Sequence, residues 1–272
     1  MLKVMLKKGF TIALLLLGLV SCKKENIDTQ TITAEGAKFE MKLIKGATFT
    51  MGSPSDEVDR YEDELQHEVV LTDYYIGVYE VTQKQFSSIM GYNPTEEGIT
   101  KEIGDNYPVS TLSWEEAVLF TEKLSQKTGR KFRLPTEAEW EYACRAGSTT
   151  PFNTGENLTT DQANYDGDQP YNGNEKGQSV GNMTAVGFYA PNAFGLYDMH
   201  GNVSEFVSDF YSKEYYSSSP KTNPTGPAEG STRVVRGGYW FGSAAECRSA
   251  YREAFKPDIT SHLIGFRLVM EL

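Results

Sequence analysis

Histidine, cysteine and tryptophan each occur only three times in 272 residues, and the scarcity excludes much chemistry. His67, His200 and His262 stand far apart, and no two have the spacing that would set imidazoles around a metal from one helix or strand. No Cys-x-x-Cys, Gly-x-Ser-x-Gly or phosphate-binding glycine loop occurs. No repeat of solenoid or propeller period is visible. Positive charge is also short, with 26 Lys and Arg against 37 Asp and Glu, a formal net charge of −11. Nucleic acid and anionic lipid surfaces need a basic face, so the charge argues against both as partners. The acidity fits calcium binding or simple solubility. The apolar run from Phe10 to Val20 falls well short of the roughly 20 residues a membrane-spanning helix needs.

That run follows Lys3, Lys7 and Lys8 and ends in Leu19-Val20-Ser21-Cys22. A small residue before a cysteine in this setting resembles the lipobox of bacterial lipoproteins, in which the cysteine is lipidated and becomes the new N-terminus. The resemblance implies a signal peptide over residues 1–21, a lipid on Cys22, and attachment to a membrane of the bacterial cell envelope. The alternative is an ordinary signal peptide with an incidental cysteine. Removing residues 1–21 removes three lysines and no acid, so the net charge moves from −11 to about −14. Residues 22–38 are polar, without apolar periodicity, and read as a flexible tether. Residues 39–272 then form one domain.

Along that domain, residues 40–52 alternate and end at Gly52, which predicts a short hairpin. The acid-crowded stretch Ser53–Glu68 reads as an exposed loop, and Val69–Val81, rich in β-branched residues and tyrosine, as strand. Thr82 opens a helix carrying Phe86, Ile89 and Met90 on one face, stopped by Gly91 and Pro94. Ser113 with Glu116 forms a capping box, and Thr136 repeats the device just after Pro135. The first of these helices ends at Gly129 and the second by Gly147. Trp114 and Trp140 fall on their apolar faces and are expected in the core. Residues 148–232 are rich in Gly, Asn, Asp, Ser and Pro, a loop region so long that metal ions or a binding role should organise it. Strand returns at Arg233–Trp240 and Ile264–Met270. Short strands, few helices and long loops make an α+β fold rather than an alternating parallel one.

Several phrases then occur in a fixed order: Phe49-Thr50-Met51-Gly52-Ser53, Glu80-Val81-Thr82, Pro108-Val109 with Trp114, Arg133-Leu134-Pro135-Thr136-Glu137-Ala138-Glu139-Trp140-Glu141-Tyr142-Ala143, Asn192-Ala193-Phe194-Gly195-Leu196-Tyr197-Asp198-Met199-His200-Gly201-Asn202-Val203, Arg236-Gly237-Gly238, and Gly265-Phe266-Arg267-Leu268. Together they resemble the formylglycine-generating enzyme, or sulfatase-modifying factor, family. The resemblance implies a C-type-lectin-like α+β fold. Arg133, Arg236 and Arg267 are read as structural partners of carboxylates such as Glu137, Glu139 or Glu141, with a ligand role as the alternative.

The active enzymes of that family oxidise a sulfatase cysteine with copper and O₂, holding the soft metal between two thiolates just after the Arg-Gly-Gly strand. Here the first of those positions is Gly242, and only Cys247 remains nearby. No catalytic residue is assigned and no copper is expected. The resemblance implies a disulfide between Cys144 and Cys247, two buried free thiols being the alternative. It also implies structural calcium held by Asp198, the carbonyls of Gly201 and Val203, and Glu205, and a second site beginning at Asn164 and Tyr165 with Asn174 as a distal candidate. The alternative is that Asp198 and Glu205 cap turns or pair with arginines. The expected function is a non-catalytic binding or assembly module whose partners are envelope proteins or glycans. The competing expectation is an oxidoreductase of the same family acting on a protein or small-molecule substrate.

Overall fold

A computed structural model describes residues 28–99 and 102–272; the expected signal peptide and the expected lipidation at Cys22 lie outside them. The first strands are β1 (Thr29–Ala34) and β2 (Ala37–Ile44), antiparallel neighbours joined through Glu35 and Gly36. The tether expected over 22–38 is therefore strand from Thr29 onward. Its apolar period is short but real: Ile32 and Ala34 point inward on β1, and Ala37, Phe39 and Met41 on β2, with exposed residues between them.

Strands β3 (Thr48–Met51) and β4 (His67–Val70) pair with each other, and β5 (Tyr74–Gly77) pairs with β2. Residues 40–52 are thus not a hairpin of their own, because their two halves join different sheets. The expected strand over 69–81 is likewise divided between β4 and β5. Helices α1 (Gln83–Met90), α2 (Trp114–Thr128) and α3 (Glu137–Arg145) start at the capping boxes of Thr82, Ser113 and Thr136. The first two stop at the left-handed residues Gly91 and Gly129, and α3 stops at Ala146, one residue before Gly147.

The remaining strands are β6 (Phe132–Arg133), β7 (Ser204–Phe210), β8 (Arg233–Arg236), β9 (Glu253–Phe255), β10 (Ile264–Gly265) and β11 (Val269–Met270). One sheet runs β1-β2-β5-β11-β6, all antiparallel; a second runs β10-β7-β8-β9, with β10 and β7 parallel. Both faces of the first sheet are covered. Tyr75 and Met270 join a cluster with Phe86, Phe120 and Phe266 under α1 and α2, while Tyr74, Ile76 and Val269 join Trp140 and Val207 on the side of α3. Trp140 is fully buried, but Trp114 is only half-buried: it lies at the core edge with the Arg233 guanidinium 3.7 Å from its ring centroid. A third cluster, around Phe152, Leu158, Tyr165 and Tyr171, packs the long loops against Cys247. No helix among the described residues is long and apolar enough to cross a membrane.

Candidate functional site

The loops are tied down by buried arginines, each enclosed by carboxylates. Arg236 donates to Glu141 Oε2 at 2.6 Å and to the carbonyls of Ser249, Ala250 and Tyr251. Arg133 makes a forked pair with Glu139, both contacts 2.7 Å. These follow the expected arginine–glutamate pairing. Arg248 and Arg252 pair in the same way. Arg248 forks onto Glu64 at 2.7 Å twice and also reaches Glu57, while Arg252 forks onto Glu137 at 2.7 and 2.9 Å. The stretch 53–68 is therefore not a plain exposed loop: Ser53, Asp63 and Glu64 are buried. The signal that could have found this is the run of acids facing an arginine-rich C-terminal segment, since neither can be buried unpaired.

Arg267 faces Glu205, one of the expected calcium ligands. It forks onto Glu205 at 2.6 Å through both nitrogens, and Trp140 Nε1 donates to Glu205 Oε2 at 2.8 Å. Both oxygens of Glu205 accept hydrogen bonds, the arginine pairing that the sequence left open as the alternative to calcium. Asp198 differs. One oxygen accepts from Gly187 N at 2.6 Å, and the other, Oδ1, is buried without a partner. Burial, with Gly187 and Arg267 opposing it, holds the Asp198 carboxyl up at about 6. Glu80, buried beside it, is also raised well above the carboxylate range by burial and then by Asp198. Glu80 Oε2 and Asn164 Oδ1 lack partners too. Asn202 ties the group together, donating to Glu80 Oε1 at 2.8 Å and accepting from Thr184 N at 2.8 Å.

Gly201 lies where only glycine fits: φ is +79°, and a Cβ there would stand 2.2 Å from Asn164 O. That approach brings Asn164 against the Asp198–Asn202 turn, joining the two segments the sequence assigned to separate sites. The distal candidates are not gathered there. The Tyr165 hydroxyl and the Asn174 amide both donate to Leu158 O instead. Among the described residues no three His, Cys, Asp or Glu side chains form a metal cluster, so a cation at this turn would depend on amide and carbonyl oxygens beside Asp198. Glu80 and Asn202 were missed because nothing in a linear phrase shows which of its polar residues are buried together.

Cys144 and Cys247 are both buried free thiols, which corrects the expected disulfide. Cys144 Sγ has its own surroundings, 3.5 Å from Met199 O, 3.6 Å from Ser249 Oγ and 3.8 Å from the His200 ring nitrogens. Burial pushes the Cys144 thiol up to about 12, and raises Cys247 as well. His200 lies 2.7 Å from Cys247 O through Nδ1 and accepts from Asn153 N through Nε2 at 3.1 Å. With one nitrogen facing a carbonyl and the other an N–H, the ring is neutral, and burial lowers its pKa to about 4. It is a satisfied loop residue.

At the position of the absent thiol, Gly242 packs against Glu246. That carboxylate accepts from Ser243 N at 2.7 Å and Ser243 Oγ at 3.2 Å, capping the short helical turn that ends in Cys247. A Cβ on Gly242 would stand 2.8 Å from Glu246 Oε2, so a side chain there must displace the cap.

The Sulfatase-modifying factor enzyme 1-like domain matches residues 28–272. Serine/threonine-protein kinase pkn1 of Chlamydia pneumoniae is 31% identical over 273 residues, which cover 91% of this chain and 40% of the relative. Formylglycine-generating enzyme of Streptomyces coelicolor is 38% identical over 171 residues, 60% of this chain and 52% of the relative. The chain thus spans only about half the length of these relatives, or less. Among solved structures, Treponema denticola variable protein 1 superposes with a TM-score of 0.77 at 28% identity, over 90% of this chain and 99% of that one. The formylglycine-generating-enzyme-like fold, and with it the C-type-lectin-like class, is the fold of this chain.

Proposed function

The chain belongs to the sulfatase-modifying factor family, and from that premise we propose that it is a lipid-anchored envelope protein whose domain works as a non-catalytic binding or assembly module. The carrying observation is the Gly242–Glu246 contact. Where the active enzymes resembled by this sequence place a thiolate, this chain places a glycine under a capping carboxylate. The remaining thiol, Cys247, is fully buried and held protonated by that burial. A soft metal needing two thiolates at these positions finds a glycine at one and, at the other, a thiol in its less reactive form. The long loops, pinned by Arg236, Arg248 and Arg252, supply a stable surface for an envelope protein or a glycan. The test is incubation of purified protein with copper, O₂ and a sulfatase-derived cysteine peptide. The expected result is no aldehyde; formylglycine in the peptide would favour the oxidoreductase reading instead.

The anchor is proposed on Cys22, from the Leu19-Val20-Ser21-Cys22 phrase. A Cys22→Ser chain expressed in bacteria should take up no labelled fatty acid, and normal labelling would remove the anchor from the proposal. Calcium is proposed at the Asp198 turn in a structural role, without Glu205. The supporting observations are the buried Asp198 and Glu80 carboxyl groups, which hydrogen-bond each other only when one is protonated, and the unpartnered buried oxygen of Asn164. Such oxygens are costly to bury bare, and a hard cation satisfies them.

A further inference from the structure

Beside Glu57 lies a cavity of about 330 Å³ whose walls also include Asp56, Val58, Pro151, Glu156 and Tyr171. Its three ionisable carboxyl groups have no cationic side chain among the lining residues to balance them. Asp56 and Glu156 are exposed, but the Glu57 side chain is only 2% exposed. Glu57 Oε1 accepts from Arg248 Nη1 at 2.6 Å, and Oε2 is buried with no partner.

Arg248 does not supply the missing charge, because its guanidinium is already matched. Glu64 takes it in a fork at 2.7 Å twice, and Asp59 O and Ala245 O take two further N–H groups. Two buried carboxylates thus share one guanidinium, leaving a surplus negative charge at the cavity wall. Burial, opposed by Arg248, raises the Glu57 carboxyl. A buried carboxyl oxygen without a donor is among the more expensive groups a fold can keep, and a donor entering the cavity would satisfy it.

We propose that this cavity binds an organic cation on an aliphatic stem, a lysine or arginine side chain of a polypeptide partner, with Glu57 receiving the charged head. The volume sits at the low end of small-ligand sites and far exceeds a bare metal ion. Val58, exposed at the wall, offers apolar surface to a stem, while Asp56 and Glu156 stand at the exposed part. The net charge of −11 favours the approach of a basic partner. Neither Gly242 nor Cys247 lines the cavity, so the site is independent of whether the domain catalyses anything.

The test titrates the full protein with three amides, those of Nα-acetyl-arginine, Nα-acetyl-lysine and Nα-acetyl-citrulline, the last matching arginine in shape without its charge. Saturable binding of arginine or lysine amide, with citrulline amide at least roughly tenfold weaker, is expected from loss of a charged hydrogen bond. Glu57→Gln should weaken the cation by a similar factor, and its melting transition, with the Arg248–Glu64 fork kept, shows whether the fold survives. Asp56→Asn with Glu156→Gln, both exposed, gives a second reading, a smaller loss that added salt abolishes. Equal binding of arginine and citrulline amides, or no saturable binding of either cation, would overturn the proposal; so would displacement of the bound cation by equimolar calcium, which would mark the cavity as a metal site.

Discussion

His200 makes the acid stability of the domain a measurable consequence of burial. Its folded pKa is about 4, against about 6.5 in an unfolded chain. The unfolded state therefore binds the proton first. The contribution of neutral His200 is fully present above the unfolded value and is lost as pH falls from about 6.5 towards about 4. By about pH 4.5 that loss amounts to about 2.5 kcal/mol for the shift to about 4. Asp209 and Asp198, raised by burial to about 7 and about 6, act in the opposite sense over the same range. Their contribution is present at low pH and declines as pH rises through those values. The raw stability profile sums these effects, so the informative quantity is a difference. Glutamine at position 200 can offer a donor towards Cys247 O and an acceptor towards Asn153 N without titrating. Urea unfolding of the native protein and His200→Gln, from about pH 7.5 to about pH 4.5, should show the native protein losing about 2.5 kcal/mol relative to the variant. A difference that stays flat, or one that grows in favour of the native protein, would refute the buried neutral imidazole.

Removing the charge of Glu205 leaves Arg267 buried without its fork, so Glu205→Gln should cost about 3–5 kcal/mol and lower the melting temperature, with or without calcium. A calorimetric loss that appears only when calcium is present would return Glu205 to the metal. Maleimide should label neither Cys144 nor Cys247 in the native state and both in denaturant without reductant; one disulfide, seen as two thiols unreactive until reduced, would contradict the free-thiol arrangement. Calcium should raise the melting temperature and a chelator lower it, with Asp198→Ala removing the shift; an unchanged native melting curve under both would remove calcium from the account.

Much of the scaffold was legible because it is local. The capping boxes at Thr82, Ser113 and Thr136 and the glycine stops at 91 and 129 are decided by a few neighbouring residues, and the helices follow them. The strands were less legible. β2 and β3 read as one hairpin because alternation shows which face a residue takes, not which strand it pairs with. β1 was hidden by the polar residues of a strand with one solvated face. The site was legible in its missing part, Gly242, and in the arginines beside glutamates. It was ambiguous at Glu205, because the same carboxylate can serve calcium or an arginine, and Arg267 lies 62 residues away. Glu57, Glu64 and Glu80 carried no assigned role for the same reason: each becomes distinctive only when the fold buries it.

Copper binding itself tests the central claim more directly than any product assay. Native protein, kept reduced, should be offered copper(I) in competition with a chromophoric copper(I) chelator. A chain with Gly242 and one buried protonated thiol should leave the metal with the chelator. Withdrawal of one equivalent of copper by the native protein, lost on Cys247→Ser, would contradict the account.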